Sequence, residues 1–196
     1  YVQSVSFATE FGSLPVSALV KQSLNASAFN ARQSLGSSRL SLTDFAQLLS
    51  PAAAEMLEPL CLRSRQLTQQ RFGKVIRLFA PLYLSNECIN NCKYCGFSRD
   101  NPILRVTLST DEVLREGRAL VAQGFRNILL VSGEHPKFVS NGYMVECVQV
   151  LRAETPGISL EVGPMETEEY RPLVAAGAEG LVVYQETYDR ARYADM

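Results

Sequence analysis

A chain of 196 residues, 46% of them hydrophobic, can bury one sizeable core and is not disordered by composition. Its formal net charge of −1 gives no bulk electrostatic reason to expect nucleic acid or an anionic membrane as a partner. No run of about 18 apolar residues occurs, so no transmembrane span is predicted.

The first 73 residues are predicted to form an N-terminal extension. Residues 1 to about 40 are rich in Ser, Asn, Ala and Gln and show weak periodicity, which indicates an adaptable segment and not a core element. The extension is predicted to be mostly helical from residue 41, where Leu42, Phe45 and Leu48 recur at helical spacing. Pro51 opens a second helical stretch, on which Cys61 is predicted to be a small buried thiol.

Residues 74–196 are predicted to form an α/β domain of about four βα units. Ser109 and Glu112 form a capping-box pattern at the start of one helix. The predicted strands are residues 75–80, 127–132, 158–162 and 180–184, and the predicted helices are residues 109–124, 143–152 and 168–176. Pro172 fits the last helix only if it lies in the first turn. Strands that alternate with helices imply a parallel sheet with right-handed crossovers.

Three cysteines, Cys88, Cys92 and Cys95, follow the first predicted strand with the spacing C-x3-C-x2-C. Three thiolates on one short loop can hold three corners of an iron–sulfur cube and leave the fourth iron open, whereas a cluster for electron transfer alone is normally closed by four cysteines. A structural zinc site needs four ligands, and the chain has no second cysteine pair. An odd total of five cysteines without a secretory signal argues for a reducing compartment and against disulfides.

Candidate site residues lie at or just beyond the C-terminal end of each of the other predicted strands, where the chemistry of parallel α/β folds is found. They are Gly133 with Glu134, Glu161, and Glu186. Burying Glu161 unpaired in an otherwise apolar strand would be costly, so it is either a polar group of the site or an exposed charge at the strand end.

The cysteine triplet, with Tyr94 just before its last member, resembles the signature of the radical S-adenosylmethionine (SAM) superfamily. Four longer strings resemble, in order, those of the 2-iminoacetate synthase family, the tyrosine lyases of thiamine thiazole biosynthesis: residues 81–86, 94–98, 129–135 and 183–188. The likeness extends from about Leu40 to the last residue.

This resemblance implies a [4Fe-4S] cluster on Cys88, Cys92 and Cys95, and SAM as second cofactor. It implies a partial radical SAM barrel, the N-terminal half of a TIM-like fold, because a complete barrel needs about 250 residues. The family's Gly-Gly-Glu motif, whose carbonyls meet the methionine amino group, is here Ser132, Gly133 and Glu134. The remaining residues predicted to contact SAM are Glu161, Glu186 at the ribose hydroxyls, and Tyr94 and Phe97 near the adenine, although Phe97 is equally explained by packing of the loop.

The reaction implied by the resemblance starts when one electron splits SAM on the open iron. The resulting 5′-deoxyadenosyl radical takes a hydrogen atom from the amino group of L-tyrosine, and the Cα–Cβ bond breaks to give p-cresol and 2-iminoacetate. The implied partners are a one-electron donor such as flavodoxin or ferredoxin and the thiazole synthase. The resemblance names no catalytic side chain and no tyrosine ligand in this half, and we expect the chain alone to turn over poorly.

Several alternatives stay open at this point. The chain resembles other aromatic amino acid lyases, such as the hydrogenase-maturation tyrosine lyase, and it could instead be a truncated, non-catalytic metal-binding fragment.

Arg105 positions either a carboxylate or only a loop, His135 is predicted to lie at the rim of the site, and Cys147 is predicted to be a core thiol. The predicted location is cytoplasmic, or the plastid if a targeting peptide precedes Tyr1.

Overall fold

The computed structural model describes residues 11–196, so residues 1–10 of the predicted extension lie outside the described part. The chain divides into two compact units, Tyr1–Val75 and Ile76–Met196. Among the described residues, no helix combines the length and the apolar character that crossing a membrane requires.

The first unit is helical from its earliest described residues, which corrects the expectation that helix begins mainly at residue 41. Its helices are α1 (Val16–Asn25), α2 (Ala28–Gly36), α3 (Leu42–Leu48), a 3-10 helix (Pro51–Met56) and α4 (Leu57–Phe72). One polar residue of the segment that was predicted to be adaptable caps a helix. Ser27 caps α2 through a reciprocal pair of hydrogen bonds with Asn30, with N–O distances of 3.1 and 3.2 Å.

The prediction that Cys61 is buried is wrong, because this thiol is exposed on α4. The less exposed side of α4 carries Leu60 and Leu67, seven residues apart. Cys61 follows Leu60 directly and is therefore rotated by about 100° away from that side. Helical periodicity predicted the helix correctly but did not identify which side is covered.

The second unit contains one four-stranded sheet with helices between the strands. Its elements are β1 (Ala80–Ser85), α5 (Thr110–Ala122), β2 (Asn127–Ser132), α6 (Asn141–Arg152), β3 (Gly157–Glu161), α7 (Thr167–Ala176), β4 (Gly180–Leu181) and α8 (Arg190–Asp195). All three strand pairs are parallel, and the strands lie in chain order, β1-β2-β3-β4. This confirms the predicted α/β class with four parallel strands. In barrel-like folds each strand lies beside the one before it in the chain, whereas the strand order of a doubly wound sheet reverses partway across the sheet.

Three of the four predicted strands have different bounds in the structure, although β3 is shifted by only one residue from the expected 158–162. The first strand was expected at residues 75–80, but β1 begins at Ala80 and includes Pro81. Pro81 lacks an N–H donor, which an edge strand tolerates, and β1 pairs only with β2 among the described strands. The fourth strand was expected over residues 180–184, but β4 ends at Leu181, and it also pairs with a single neighbour, β3.

One face of the sheet packs against the helices and forms the core. Leu82, Leu130 and Leu160 lie in one register row across β1, β2 and β3, and each is at most 4% exposed. Helix α6 covers them with the buried Cys147 and Leu151. The prediction that Cys147 is a core thiol is confirmed, and burial raises the pKa of this thiol to about 11.

Pro172 lies inside α7, not in its first turn as the sequence suggested. A proline in a helix interior removes one main-chain hydrogen bond and costs about 3 kcal/mol. Other features of α7 offset this cost. The Glu169 carboxylate accepts a hydrogen bond from the Glu166 N–H at 2.9 Å, and Leu173 is fully buried. Gly177 ends the helix with a φ of 120°, a conformation that favours glycine.

Candidate functional site

The opposite face of the same sheet carries a mixed row of side chains. Tyr83, Val131 and Glu161 are register partners across β1, β2 and β3, each one residue after a core leucine. Successive side chains of a strand point to opposite faces, so this row points away from the helices. The Glu161 carboxylate therefore lies on the open face of the sheet and not in the helix-packed core.

This row borders a cavity of about 460 Å³ at the C-terminal ends of the strands. Ligand sites in proteins typically enclose about 300–1,000 Å³. The cavity brings together seven residues that the sequence predicted for the site: Cys88, Cys95, Phe97, Ser132, Gly133, Glu134 and Glu161. It also includes residues that the sequence analysis did not single out, among them Tyr83, Gly163 and Tyr184.

The three cysteines lie on the loop that joins β1 to α5, and all three thiols are free and half-buried. Cys88 and Cys95 line the cavity, whereas Cys92 does not. Hydrogen bonds between Cys92 and Ser98 fold this part of the loop into turns. The Cys95 N–H donates to the Cys92 carbonyl and the Ser98 N–H donates to the Cys95 carbonyl, both at 3.2 Å, and the Ser98 hydroxyl donates to the Cys92 carbonyl.

Gly133 is the point at which the end of β2 meets the cysteine loop. A Cβ atom added to Gly133 would lie 2.3 Å from the Glu87 carbonyl oxygen and 3.2 Å from the Cys88 Cβ. The Gly133 N–H donates to the Ser85 carbonyl at 3.0 Å, which fixes this approach. Glycine is therefore required here by contact with the backbone beside Cys88.

Glu134 joins the same two loops through both its main chain and its side chain. Its carbonyl accepts a hydrogen bond from the Ile89 N–H at 2.8 Å, and its carboxylate accepts one from the Asn90 side-chain amide at 2.7 Å. The carboxylate also packs against Gly163, where an added Cβ would lie 3.0 Å from it. The motif at residues 132–134 is thus connected to the cysteine loop by direct hydrogen bonds.

Phe97 packs edge to face against Tyr83, with ring centroids 5.9 Å apart and planes at 82°. Both rings line the cavity. Phe97 thus packs the loop against β1. Its ring also lies beside the space where the sequence predicted a cofactor.

Tyr94 and Glu186 do not line the cavity, although both were predicted to contact the cofactor. Tyr94 is 54% exposed. Partial burial of the phenol raises the pKa of Tyr94, and the nearby Glu186 carboxylate and the Cys92 thiol add to this rise. The two residues therefore lie near each other beside the cysteine loop, and their predicted cofactor contacts stay predictions.

The only histidine in the sequence, His135, lies against Phe138, with ring centroids 4.7 Å apart. Its Nδ1 accepts a hydrogen bond from the Lys137 N–H at 3.3 Å. His135 lines a second cavity, of about 320 Å³, that shares Glu134 and Gly163 with the first. Its position at the rim agrees with the sequence-based expectation.

Polar residues around the cysteine loop were not recognised as a group from the sequence. The Asn101 side-chain amide donates to the Cys95 and Gly96 carbonyls, each at 3.1 Å. Asn86 donates to the Leu104 carbonyl and accepts from the Val106 N–H, both at 2.7 Å. Arg105 donates only to main-chain carbonyls of this segment. Of the two roles considered for Arg105, the structure shows the one in which it holds a loop.

The donor set fits an iron–sulfur cube with one open iron. Three free, half-buried thiols on one loop supply soft ligands, and the loop opens onto a cavity large enough for a second cofactor beside them. In residues 11–196, no three His, Cys, Asp or Glu side chains converge closely enough to chelate a single metal ion. A cube spreads its cysteine ligands over separate iron atoms, so it does not require such convergence.

The fold and the site together define an α/β domain with three free cysteines at the C-terminal edge of a parallel sheet, a donor set that fits an iron–sulfur cluster. Residues 82–196 match the family model of the radical SAM superfamily. The chain belongs to the radical SAM superfamily. Membership implies a [4Fe-4S] cluster and SAM as the cofactors.

Within the superfamily, the chain is similar to enzymes named 2-iminoacetate synthase. It is 43% identical over 167 residues to those of Salmonella typhimurium and of Escherichia coli K12. The matched region is 85% of this chain but 44% of each relative. The chain thus spans less than half the length of these curated relatives.

A solved structure shares this fold. The crystal structure of HydG, a maturase of the [FeFe]-hydrogenase, superposes with a TM-score of 0.79 at 26% sequence identity. The superposition covers 92% of this chain and 42% of the HydG chain.

Proposed function

We propose that this chain forms the cluster- and SAM-binding half of a radical SAM lyase that cleaves the Cα–Cβ bond of L-tyrosine. The products would be 2-iminoacetate, for the thiazole ring of thiamine, and p-cresol. The observation that carries the proposal is the cavity that Cys88 and Cys95 share with Gly133 and Glu161. It occurs in a chain that is 43% identical to 2-iminoacetate synthases.

In this proposal, Cys88, Cys92 and Cys95 would hold the cluster and leave one of its irons open for SAM. When bound, the cluster and SAM supply a radical that abstracts hydrogen from the substrate. Ser132 and Gly133 line the cavity, and their main-chain carbonyls would accept hydrogen bonds from the amino group of SAM.

The remaining cavity residues position the cofactor and keep water out. The carboxylates of Glu134 and Glu161 bring negative charge to the cavity, which favours the positively charged sulfonium of SAM. Tyr83, Val131 and Phe97 form an apolar wall that limits access of water to a reactive radical. No acid–base pair is required for hydrogen abstraction, and we assign none.

The substrate and partners are part of the same proposal. L-tyrosine is the substrate, a flavodoxin or ferredoxin delivers the electron, and the thiazole synthase consumes 2-iminoacetate in the cytoplasm or a plastid. The curated relatives extend well beyond the region matched here, and we infer that further tyrosine contacts come from that additional length. The matched region alone is therefore expected to bind the cofactors but to turn over slowly.

The test is anaerobic reconstitution with iron and sulfide, followed by EPR spectroscopy with and without SAM. Tyrosine and a reductant are then added, and p-cresol, glyoxylate and 5′-deoxyadenosine are measured by mass spectrometry, since 2-iminoacetate hydrolyses to glyoxylate. A SAM-dependent change in the EPR signal supports the cofactor site. p-Cresol from a chain extended to the length of its relatives supports the tyrosine reaction, and a loaded extended chain that leaves tyrosine intact would refute it.

A second candidate is a role in maturation of an [FeFe]-hydrogenase, which the superposition on HydG favours. This candidate ranks second because the chain is 43% identical to 2-iminoacetate synthases and 26% identical to HydG. The two are separated by product analysis of the extended chain. Accumulated glyoxylate supports the first candidate, whereas activation of a hydrogenase apoprotein without glyoxylate supports the second.

A further inference from the structure

Arg105 lies ten residues after the last cluster cysteine, and its side chain forms several hydrogen bonds with the main chain. Its guanidinium donates hydrogen bonds to five carbonyl oxygens. Nη1 reaches Asn86 at 2.6 Å and Phe97 at 2.8 Å, and Nη2 reaches Ser98 at 2.6 Å and Arg99 and Asn101 at 3.2 Å.

These five carbonyls lie on both sides of the cysteines. Asn86 precedes Cys88, whereas the other four acceptors follow Cys95. One side chain therefore closes the segment from residue 86 to residue 101, which contains all three cluster ligands. In the described part of the chain Arg105 pairs with no carboxylate, so its hydrogen-bonding capacity is directed to these carbonyls.

We propose that Arg105 is the positioning residue that holds the cysteine loop in its cluster-binding shape before iron and sulfide arrive. This inference rests on the proposed cluster site. A long loop loses conformational entropy when it closes around a ligand, and a loop that is already closed loses less. Arg105 makes that closure independent of the metal, because the hydrogen bonds form in the chain itself.

An arginine suits this task because the two Nη atoms of its planar guanidinium carry four N–H donors in a fixed fork, so that at least one N–H is shared between two of the five carbonyls. A lysine ammonium at the same position has three donors on a flexible stem and reaches at most part of the set. Arg105 is absent from the apolar core that joins the sheet to its helices. Loss of its contacts should therefore loosen the loop and leave the sheet intact.

The experiment compares Arg105→Lys and Arg105→Met with Arg115→Lys and Arg115→Met. Arg115 is a suitable control because it lies on the surface of α5 and pairs only with its neighbour Glu116, at 3.4 Å. Amide hydrogen exchange of the metal-free chain is measured over residues 86–101 and over β2. Each variant is then reconstituted anaerobically, and the lifetime of its cluster in excess ferrous chelator and its EPR response to SAM are recorded.

We expect Arg105→Met to speed exchange in residues 86–101 by about tenfold or more and to shorten the cluster lifetime by a similar factor, with β2 unchanged. Arg105→Lys should fall between Arg105→Met and the wild type, and the Arg115 variants should match the wild type. Wild-type exchange in both Arg105 variants would overturn the proposal. Because exchange is measured without metal, it decides this inference even if the wild-type chain fails to assemble a cluster, an outcome that would count against the proposed function instead.

Discussion

The two faces of the same sheet differ sharply in what their side chains contact. The helix-facing row, Leu82, Leu130 and Leu160, is at most 4% exposed, and every member is a leucine. The cavity-facing row, one residue further along each strand, contains a tyrosine, a valine and a glutamate. Because side chains alternate along a strand, one short sequence serves both faces. One face forms the core and the other borders the cavity.

This division explains why a charged residue is tolerated in an apolar strand. Parallel sheets are usually covered on both faces and contain continuous apolar strands. Glu161 departs from that pattern at a position that borders the cavity. A carboxylate there avoids the cost of burial without a partner as long as water or a cationic ligand reaches it. The comparison predicts that changes on the cavity side alter cofactor binding, whereas changes on the helix side alter stability.

The largest expected effect comes from Cys88→Ser, which removes one of the three predicted cluster ligands. We expect iron bound after anaerobic reconstitution to fall to below about a tenth of the wild-type amount, because two thiolates hold the cube weakly. The thermal midpoint of the metal-free chain should stay unchanged, since Cys88 is half-buried on a loop.

The matched control is Cys61→Ser, which alters an exposed thiol on α4. It should retain the wild-type iron content and EPR spectrum. Equal iron loss in both variants, or none in either, would contradict the assignment of Cys88 as a ligand.

Gly133→Ala should break the contact between the end of β2 and the cysteine loop. The added methyl would lie 2.3 Å from the Glu87 carbonyl oxygen, so the loop beside Cys88 must move. We expect iron content to fall to less than about half of the wild-type value, because ligand geometry tolerates only small displacements. Gly142→Ala in α6 is the control, because its nearest neighbour would lie at 3.9 Å. A Gly133→Ala chain with a full, SAM-responsive cluster would show that this close approach is not needed.

Leu130→Ala tests the helix-facing side. Leu130 is fully buried, so the substitution should lower the free energy of unfolding by about 3 kcal/mol, within the range for large-to-small changes in cores. Val131→Ala, one residue away on the cavity side, should cost less than about 1.5 kcal/mol because Val131 is only partly buried. Urea unfolding of the metal-free chains measures both. Equal losses would mean that the two faces contribute equally to stability.

The smallest expected effect is a pH dependence that originates in Cys147. Burial raises the pKa of this thiol from its ordinary value near 9 to about 11 in the folded chain. The unfolded chain then releases the proton first, so the contribution to stability is complete below pH 9 and is lost as the pH rises to about 11. The loss from this group is about 2 kcal/mol. Burial also raises the pKa of Tyr143, which adds a further loss at higher pH.

Urea midpoints at pH 8 and pH 10.5 under reducing conditions measure this dependence. Cys147→Ala should show a smaller drop between the two pH values than the wild type, whereas Cys61→Ala, which changes an exposed thiol, should keep the wild-type drop. An unchanged drop in Cys147→Ala would assign the effect to other groups.

Elements defined by local patterns were predicted well. β2 has the predicted bounds, and Ser109 caps α5 through the expected reciprocal contact with Glu112. β1 was misplaced by five residues, because residues 75–79 are as apolar as the true strand and only pairing with β2 distinguishes them. The buried leucines at 82 and 84 determine which segment joins the sheet.

The candidate site was likewise predictable only as far as local sequence patterns reach. The spacing of the cysteines indicated a cluster, and the position of Glu161 at a strand end indicated either a site or a surface charge. The choice between these two required the register that aligns Glu161 with Val131 and Tyr83. The choice between the two roles considered for Arg105 also required the structure, because its acceptors are main-chain carbonyls up to 19 residues away.

The sequence by itself determined the α/β class, the order of the units and the three cysteines predicted as cluster ligands, because alternation, caps and the C-x3-C-x2-C spacing are properties of neighbouring residues. Only the tertiary structure decided which strand face borders the cavity, that Gly133 must approach Glu87, and that Arg105 closes the cysteine loop. These features depend on contacts between residues far apart in the chain. Their geometry is determined by the packing of the whole sheet against its helices, which no local pattern specifies.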